Sequence, residues 1–201
     1  MKLLAFTDIH GSFLAIKKLK AKIKKEKPDF LVCAGDVSIF ESKILKIFAE
    51  LNKLKKQIVM VHGNHDGEEA FSSLSRKFKN LVFIHKKYFI IDNLLVFGHG
   101  GGGFSERDRE FEKLAAKNFS KLIKGNPGKK TILLTHAPPY KTKLDKIGKL
   151  YCGSISYRRF VEKNKIDFMI CGHIHENFGK EDKIGKAKVI NPGPFGKIIK
   201  I

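Results

Sequence analysis

The sequence predicts an α/β fold in which two mixed β-sheets pack together and carry helices on their outer faces. Three observations support this prediction: short apolar runs with the length of buried strands, helical patterns between them, and a hairpin signal in mid-chain. A chain of 201 residues can bury a substantial core, and no Pro/Ser-rich linker or low-complexity segment divides it. We therefore expect a single domain over residues 1–201.

The first elements alternate between strand and helix. Five runs are rich in β-branched or large apolar residues and are bounded by Gly, Pro or polar residues, as strands are. These runs cover residues 2–6, 30–34, 57–61, 131–134 and 167–171. Apolar residues at helical spacing follow the first two runs, so the chain begins as β-α-β-α. The two helical patterns cover residues 12–25 and 42–55.

Later elements are expected to complete the two sheets. Asp92-Asn93 is a two-residue hairpin signal between strand-like residues 87–91 and 94–97. A further helix and two closing strands are also expected. They cover residues 106–124, 186–190 and 197–201.

A polar signature follows each of the five apolar runs. The signatures are Asp8-Ile9-His10, Gly35-Asp36, Gly63-Asn64-His65-Asp66, Thr135-His136 and Gly172-His173-Ile174-His175. In open α/β sheets ligands bind beyond the carboxyl ends of strands, so side chains at such ends can converge despite their distance in sequence. Carboxylate, imidazole and amide oxygen suit Mn, Fe, Zn, Co or Ni, and no cysteine belongs to the set. One signature alone is typical of a structural histidine or a turn aspartate; five in this order indicate one metal site.

This series of signatures resembles that of the calcineurin-like metallophosphoesterase superfamily. The superfamily carries Asp-x-His, Gly-Asp, Gly-Asn-His-Asp/Glu, His and Gly-His-x-His in the same order. The resemblance spans Asp8 to His175 and continues into Asn191-Pro192-Gly193, a turn common in small bacterial and archaeal members. It implies a four-layer αββα sandwich and a site for two divalent metal ions, with Mn favoured and Fe, Zn, Ni or Co as alternatives.

The resemblance assigns the ligands residue by residue. The first ion would be bound by Asp8, His10, Asp36 and His175, and the second by Asp36, Asn64, His136 and His173, so that Asp36 bridges them. His65 would face the substrate without binding metal, and Asp66 would orient its ring, which suits a proton donor. The implied reaction is hydrolysis of a phosphate ester by a hydroxide that bridges the two metals, with His65 as the acid or as a group that stabilises the transition state.

Substrate contacts are harder to place. The glycine-rich run from Gly98 to Gly103 could expose backbone amides to a phosphate. It does not match a P-loop, because no Gly-Lys-Ser/Thr follows. A flexible connection between two elements is the simpler interpretation. The side chains that could reach a substrate near this run or after His136 are His99, Arg107, Arg109 and Tyr140. His62 and His85 lie outside the signatures and are interpreted as structural.

The net charge of +20 invites a nucleic-acid interpretation, which we discount in part. Of the 40 basic residues 35 are Lys, and many lie on one predicted helix, where a solvated surface is the default. Such a field would nevertheless attract any anionic substrate. We therefore expect a small phosphate ester as the partner and keep nucleic acid as an alternative. Oligomeric state is not predicted.

The cysteines and the apolar runs bear on location. Cys33, Cys152 and Cys171 are odd in number, and two of them lie in expected buried strands, as free thiols commonly do. No run approaches the roughly 18 apolar residues of a membrane span, and the apolar start lacks the features of a signal peptide. A reducing cytoplasm without membrane association is the plain expectation.

Other protein classes share part of this pattern. A double-strand-break nuclease carries extra capping and DNA-binding segments, for which this chain has no spare length, and a protein phosphatase of the superfamily is generally larger. A scaffold resembling the retromer subunit of this fold lacks the full metal set, whereas here every ligand position is filled. We therefore expect a hydrolase that favours small phosphodiesters. A nuclease and a phosphomonoesterase are the alternatives, and a scaffold is less favoured.

Overall fold

The computed structural model describes residues 1–104 and 106–201. The strands in chain order are β1 (Lys2–Phe6), β2 (Phe30–Cys33), β3 (Ile58–Met60), β4 (Leu81–Phe83), β5 (Lys87–Ile91), β6 (Leu94–His99), β7 (Lys130–Thr135), β8 (Lys146–Ile147), β9 (Leu150–Tyr151), β10 (Phe168–Ile170), β11 (Glu181–Ile184), β12 (Ala187–Ile190) and β13 (Lys197–Lys200). The α-helices are α1 (Phe13–Glu26), α2 (Ile44–Asn52), α3 (Glu68–Lys77), α4 (Arg109–Leu114), α5 (Ser120–Gly125) and α6 (Ile155–Lys163).

Two mixed sheets contain almost all of these strands. The first has the order β13-β1-β2-β3-β4, with only β13 antiparallel to its neighbour. The second has the order β11-β12-β10-β7-β6-β5, in which the two edge strands are antiparallel and the inner four are parallel. The short strands β8 and β9 form a separate hairpin.

Three apolar layers hold the molecule together. One lies between α1, α2 and α3 and the outer face of the first sheet, with Phe6, Phe48 and Phe71 fully buried. A second lies between the sheets and is rich in Val, Ile and Leu, which pack well on pleated surfaces. A third joins the second sheet to α4, α5 and α6. The predicted four-layer αββα sandwich is confirmed.

Local sequence explains where the helices begin. The Ser12 side chain accepts a hydrogen bond from the Ala15 amide and caps α1, and Asp108 and Ser154 cap α4 and α6 in the same way. Such caps satisfy amides at a helix start that have no partner within the helix. The hairpin at Asp92-Asn93 is present, with Ile91 paired to Leu94.

One helix differs from its prediction. The helix expected over residues 106–124 begins at Arg109 and contains a π-helical segment, Ala115–Phe119, between α4 and α5. Helical periodicity alone does not reveal the extra residue that a π-turn accommodates. In the described part of the chain, no helix has the length and apolar character needed to cross a bilayer.

Candidate metal centre

The predicted ligands meet where strands of both sheets end. Asp8, Asp36 and Asn64 follow β1, β2 and β3, while His136 and His173 follow β7 and β10. Hydrogen bonds join these loops within the first sheet, where the Asp8 amide donates to the Gly35 carbonyl at 3.0 Å, and within the second, where the Gly172 amide donates to the His136 carbonyl at 2.8 Å. The His173 amide donates to Asp8 Oδ2 at 3.1 Å and so connects the loops of the two sheets. The two sheets therefore contribute to one cluster.

The backbone of this cluster is unusual. Asp8, His10, Asp36 and His173 have φ values of 53°, 44°, 50° and 71°, in the left-handed region that residues with a side chain seldom adopt. Such conformations persist only when the surrounding contacts enforce them, and they concentrate at functional sites. Four of the seven predicted ligands thus occupy strained positions.

Two glycines of the signatures make room for carboxylates. A Cβ on Gly63 would overlap the Asp36 carboxylate, and a Cβ on Gly172 would overlap the Asp8 carboxylate. Only glycine permits so close an approach of the backbone to these side chains.

The first group of ligand atoms comprises Asp8, His10 and His175. The Nε2 atoms of the two histidines are 3.1 Å apart, and His175 Nε2 lies 3.3 Å from Asp8 Oδ1. The other carboxylate oxygen of Asp8 is held by the Thr7 hydroxyl at 2.6 Å and by the His173 amide at 3.1 Å. One oxygen is therefore fixed by the protein while the other faces the histidines.

The second group comprises Asn64, His136 and His173. Asn64 Oδ1 lies 2.9 Å from His136 Nε2 and 2.9 Å from His173 Nδ1. Atoms that bind one ion octahedrally at about 2.1 Å lie about 3.0 Å apart, which matches these distances.

Asp36 lies between the two groups. Its Oδ2 is 3.7 Å from His10 Nε2, in the first group, and 3.3 Å from His136 Nε2, in the second. Its Oδ1 accepts the His65 amide at 2.9 Å. One oxygen atom thus faces both groups, as a bridging ligand does.

The donor set fits divalent transition metals. His136 Nδ1 lies 2.8 Å from the Ala34 carbonyl and His10 Nδ1 lies 3.3 Å from the Ser38 carbonyl. Donation to a carbonyl places one ring proton on Nδ1, so the neutral form of each ring has its lone pair on Nε2, toward the cluster, which is the tautomer a metal ligand needs.

Ionisation of the site follows from these contacts. Burial would raise the pKa of the Asp8 carboxyl, but hydrogen bonds with His10 and His175 hold it well below its usual range. The pKa of Asp36 is likewise lowered, because His136 outweighs the effect of burial. Burial would lower the pKa of His136, yet Asp36 raises it to about 9. In the metal-free protein His136 therefore carries a proton at neutral pH that a bound ion must displace.

His65 lies beside the cluster. Its ring meets that of His10 edge to face at 5.2 Å, and its buried Nδ1 has no hydrogen-bond partner among the described residues. The expectation that Asp66 orients this ring is not met. The Asp66 carboxylate instead accepts the amides of Val37, Ser38 and Gly63 and the Ser38 hydroxyl. It ties the Asp36 loop to the Asn64 loop.

The four candidate substrate contacts lie elsewhere. His99 is buried, and its Nδ1 lies 2.9 Å from the Tyr157 hydroxyl. Arg107 pairs with Glu112 at the outer helices, and Arg109 is exposed at the start of α4. The Tyr140 ring is 6.1 Å from that of Tyr151. None of the four has a hydrogen bond or ring contact with the predicted ligands in the part of the chain that the structure describes.

Packing against two histidines accounts for two glycines of the run, Gly100 and Gly101. The Gly101 amide donates to the His62 carbonyl and the Gly100 amide to His85 Nδ1, each at 2.8 Å. A Cβ on Gly100 would clash with His62. His62, His85 and Glu68 place three ligand-type atoms within 4.8 Å of one another. However, the Gly100 bond leaves the His85 proton on Nε2, which points at Glu68, so that nitrogen offers a metal no lone pair.

Two exposed aromatic residues at the cluster were not predicted. The Phe40 ring lies 4.6 Å from the His65 ring, and the Phe104 ring lies 4.7 Å from the His173 ring. Neither residue belongs to a signature, and a lone Phe in a turn carries no functional signal in a single sequence. Only the folded loops bring these rings to the site.

The chain belongs to the calcineurin-like phosphoesterase family, which residues 1–177 match. Membership implies a metal-dependent phosphoester hydrolase of the dinuclear type, and the chain has candidate metal-ligand groups. Protein MJ1162 of Methanocaldococcus jannaschii is 33% identical over 204 residues, covering 96% of this chain and 88% of MJ1162.

Solved structures share the fold. TT1561 of Thermus thermophilus has a TM-score of 0.75 at 15% identity, covering 96% of this chain and 89% of that protein. A protein described as a novel archaeal phosphodiesterase has a TM-score of 0.54 at 19% identity, covering 96% and 84% of the two chains.

Proposed function

We propose that this protein hydrolyses small phosphodiesters with two divalent metal ions, manganese foremost, bound by the two ligand groups and bridged by Asp36. The observation that carries the proposal is the position of Asp36 Oδ2, which faces one histidine of each group. When bound, the ions would lower the pKa of water and neutralise charge on the phosphate oxygens.

The protein residues perform the remaining tasks. Asp8 and Asp36 each use one oxygen for a backbone amide, so their free oxygens keep fixed positions. His65 is the proposed acid, because its ring touches His10 of the first group and is partly exposed at the site. A proton on the exposed side of this ring can pass to the oxygen of the departing alcohol.

The preference for small diesters rests on the intact Asp8 and His10 pair and on the distribution of charge. The lysines of α1 are mostly exposed on its solvent face, and Lys22 instead donates a hydrogen bond to the Gly196 carbonyl. Nucleic acid stays the second candidate substrate because of the net charge of +20.

A cytoplasmic location is part of the proposal and rests on three free cysteines, two of them buried.

The first experiment measures metal content and substrate preference together. Protein reconstituted in excess Mn²⁺ should retain two ions per chain by elemental analysis, and one ion per chain would contradict the dinuclear site. The kcat/KM for bis(p-nitrophenyl) phosphate should exceed that for p-nitrophenyl phosphate. Dominant cleavage of duplex DNA, falling steeply between about 50 and 200 mM salt, would assign the lysines to a nucleic-acid groove.

The second experiment isolates His65. His65→Ala should keep both ions and lower kcat by roughly 10²–10⁴ on an alkyl ester, the range for general acid catalysis. The loss should be smaller on a nitrophenyl ester, since nitrophenolate departs without a proton. Equal losses on both esters would exclude the role of acid.

A further inference from the structure

Each ligand group is bordered by one exposed aromatic ring. Phe40 is 76% exposed and packs on His65, whose ring contacts His10 of the first group. Phe104 is 66% exposed and packs on His173 of the second group. Large apolar side chains left in solvent at the border of a polar site are typical of ligand contacts.

The turn that carries Phe40 is held in place. Phe40, Glu41 and Lys43 all have positive φ values, of 47°, 61° and 54°, which is rare for residues with side chains so close in sequence. The Ser42 amide donates to the Ile39 carbonyl at 2.9 Å, and the Glu41 carboxylate packs on Gly67 beside Asp66. The ring of Phe40 belongs to none of the buried clusters, so the turn fixes it at the site and not in the core.

A recess adjoins this turn on the side of the first ligand group. It has a volume of about 190 Å³ and is lined by His10, Gly11, Ile39, Ser42 and Lys43. Ile39 gives it an apolar wall and Lys43 a cation. A phosphate that carries a planar ring fits both walls, because the ring can pack on the apolar wall and the negative phosphate is attracted by the cation.

We propose that Phe40 and this recess form a subsite that stacks a planar leaving group, such as an aryl ring or a nucleobase, and that Phe104 stacks the other organic group of the diester. The assignment of sides rests on the proposed function, because His65 as the acid marks the side of the departing alcohol. Stacking accepts any planar ring, since each has a π-face. The substrate class is therefore a diester that carries a ring on the side of His65.

Two diesters separate the roles of the rings. Methyl p-nitrophenyl phosphate carries a ring only on its leaving group, whereas bis(p-nitrophenyl) phosphate carries one on each side. Phe40→Ala should raise KM about tenfold on both, and Phe104→Ala only on the second, as expected for loss of one stacking contact. Phe40→Tyr should retain the wild-type KM and Phe40→Leu should not. Tyr88→Ala is the matched control, because Tyr88 is exposed on β5 and lines a groove against the outer helix residues from Lys117 to Leu122.

A binding measurement distinguishes failure of this subsite from failure of the proposed activity. Calorimetry on the Mn²⁺-reconstituted protein compares phenylphosphonate with methylphosphonate and needs no turnover. The comparison is made in Phe104→Ala, because the phenyl ring could otherwise stack on Phe104. A preference for the phenyl compound that disappears when Phe40→Ala is added supports the Phe40 subsite even if no diester is hydrolysed. The subsite is overturned if Phe104→Ala shows no such preference, if the double variant keeps it, or if Phe40→Leu and Phe40→Tyr behave equally in that background.

Discussion

Replacing Asp66 by Asn tests how the metal site is built. The carboxylate is buried and accepts four hydrogen bonds, at 3.1 Å from the Val37 amide, 3.0 and 2.7 Å from Ser38, and 3.2 Å from the Gly63 amide. An amide side chain has one acceptor oxygen and turns its NH₂ group toward the donors it cannot bind. Two of the four donors therefore lose their acceptor in the variant.

The expected cost follows from that count. A buried donor left without a partner costs about 1–3 kcal/mol, so Asp66→Asn should destabilise the protein by about 2–4 kcal/mol once the burial penalty of the charge is relieved. For a chain of this length that corresponds to a fall in Tm of roughly 5–15 °C. Thermal and urea unfolding of the chelator-treated protein measure it. Asp92→Asn, at an exposed hairpin turn, is the matched control and should change stability by less than about 0.5 kcal/mol.

The activity of Asp66→Asn on different esters shows whether Asp66 holds the loops together or orients the His65 ring. Because Asp66 holds the loops of Asp36 and Asn64, its loss should weaken metal binding and slow alkyl and aryl esters by the same factor. A variant as stable as the wild type, with a defect that depends on the leaving group, would refute the loop-tying role and restore the expectation that Asp66 orients the His65 ring.

Two further predictions concern the same loops. Gly63→Ala should weaken metal binding by about 10- to 100-fold, because the added Cβ displaces the Asp36 carboxylate. Gly125→Ala is the control and should leave metal affinity unchanged, because a Cβ there has no neighbouring atom within 4 Å. Equal metal affinity in both variants would contradict the steric argument. The metal-free protein should lose up to about 3 kcal/mol of stability as pH rises from 6.5 through 9. The pKa of His136 is about 9 in the folded state and 6.5 in the unfolded state, so protonation of His136 stabilises the folded protein. That stabilisation is complete below pH 6.5 and is lost as pH rises through 9. Urea midpoints across that range measure the loss, which should vanish in the metal-loaded protein, and a flat profile without metal would exclude it.

The sequence predicts which candidate ligands cluster, because their placement depends on local patterns. Each signature follows a short apolar run, and runs such as Phe30–Cys33 and Phe168–Ile170 are buried strands whose carboxyl ends share one edge of the sandwich. Knowing the strands and the family pattern is therefore enough to bring Asp36 and His173 together.

The roles that were misplaced depend on contacts between distant loops. Two partners of Asp66 are the amides of Val37 and Ser38, which directly follow the left-handed residue Asp36, and no periodicity in the sequence reports that turn. The run from Gly98 to Gly103 resembles a phosphate loop in composition, but two of its glycines, Gly100 and Gly101, serve the close approach to His62 and His85. His99 lies opposite Thr135 at the end of β6, but its side chain faces Tyr157 of α6 and the helical layer.

Contacts with the chain position four of the seven candidate ligands. Asp8 is held by Thr7 and the His173 amide, Asp36 by the His65 amide, and the rings of His10 and His136 by backbone carbonyls. Hydrogen bonds and packing in the folded loops thus stabilise the left-handed backbone conformation of four candidate ligands. When ligand side chains are already ordered, metal binding loses little free energy to ordering them, and the affinity for the metal is higher. The principal cost of loading is then the proton on His136, so metal affinity should rise with pH even though the geometry of the loops does not change.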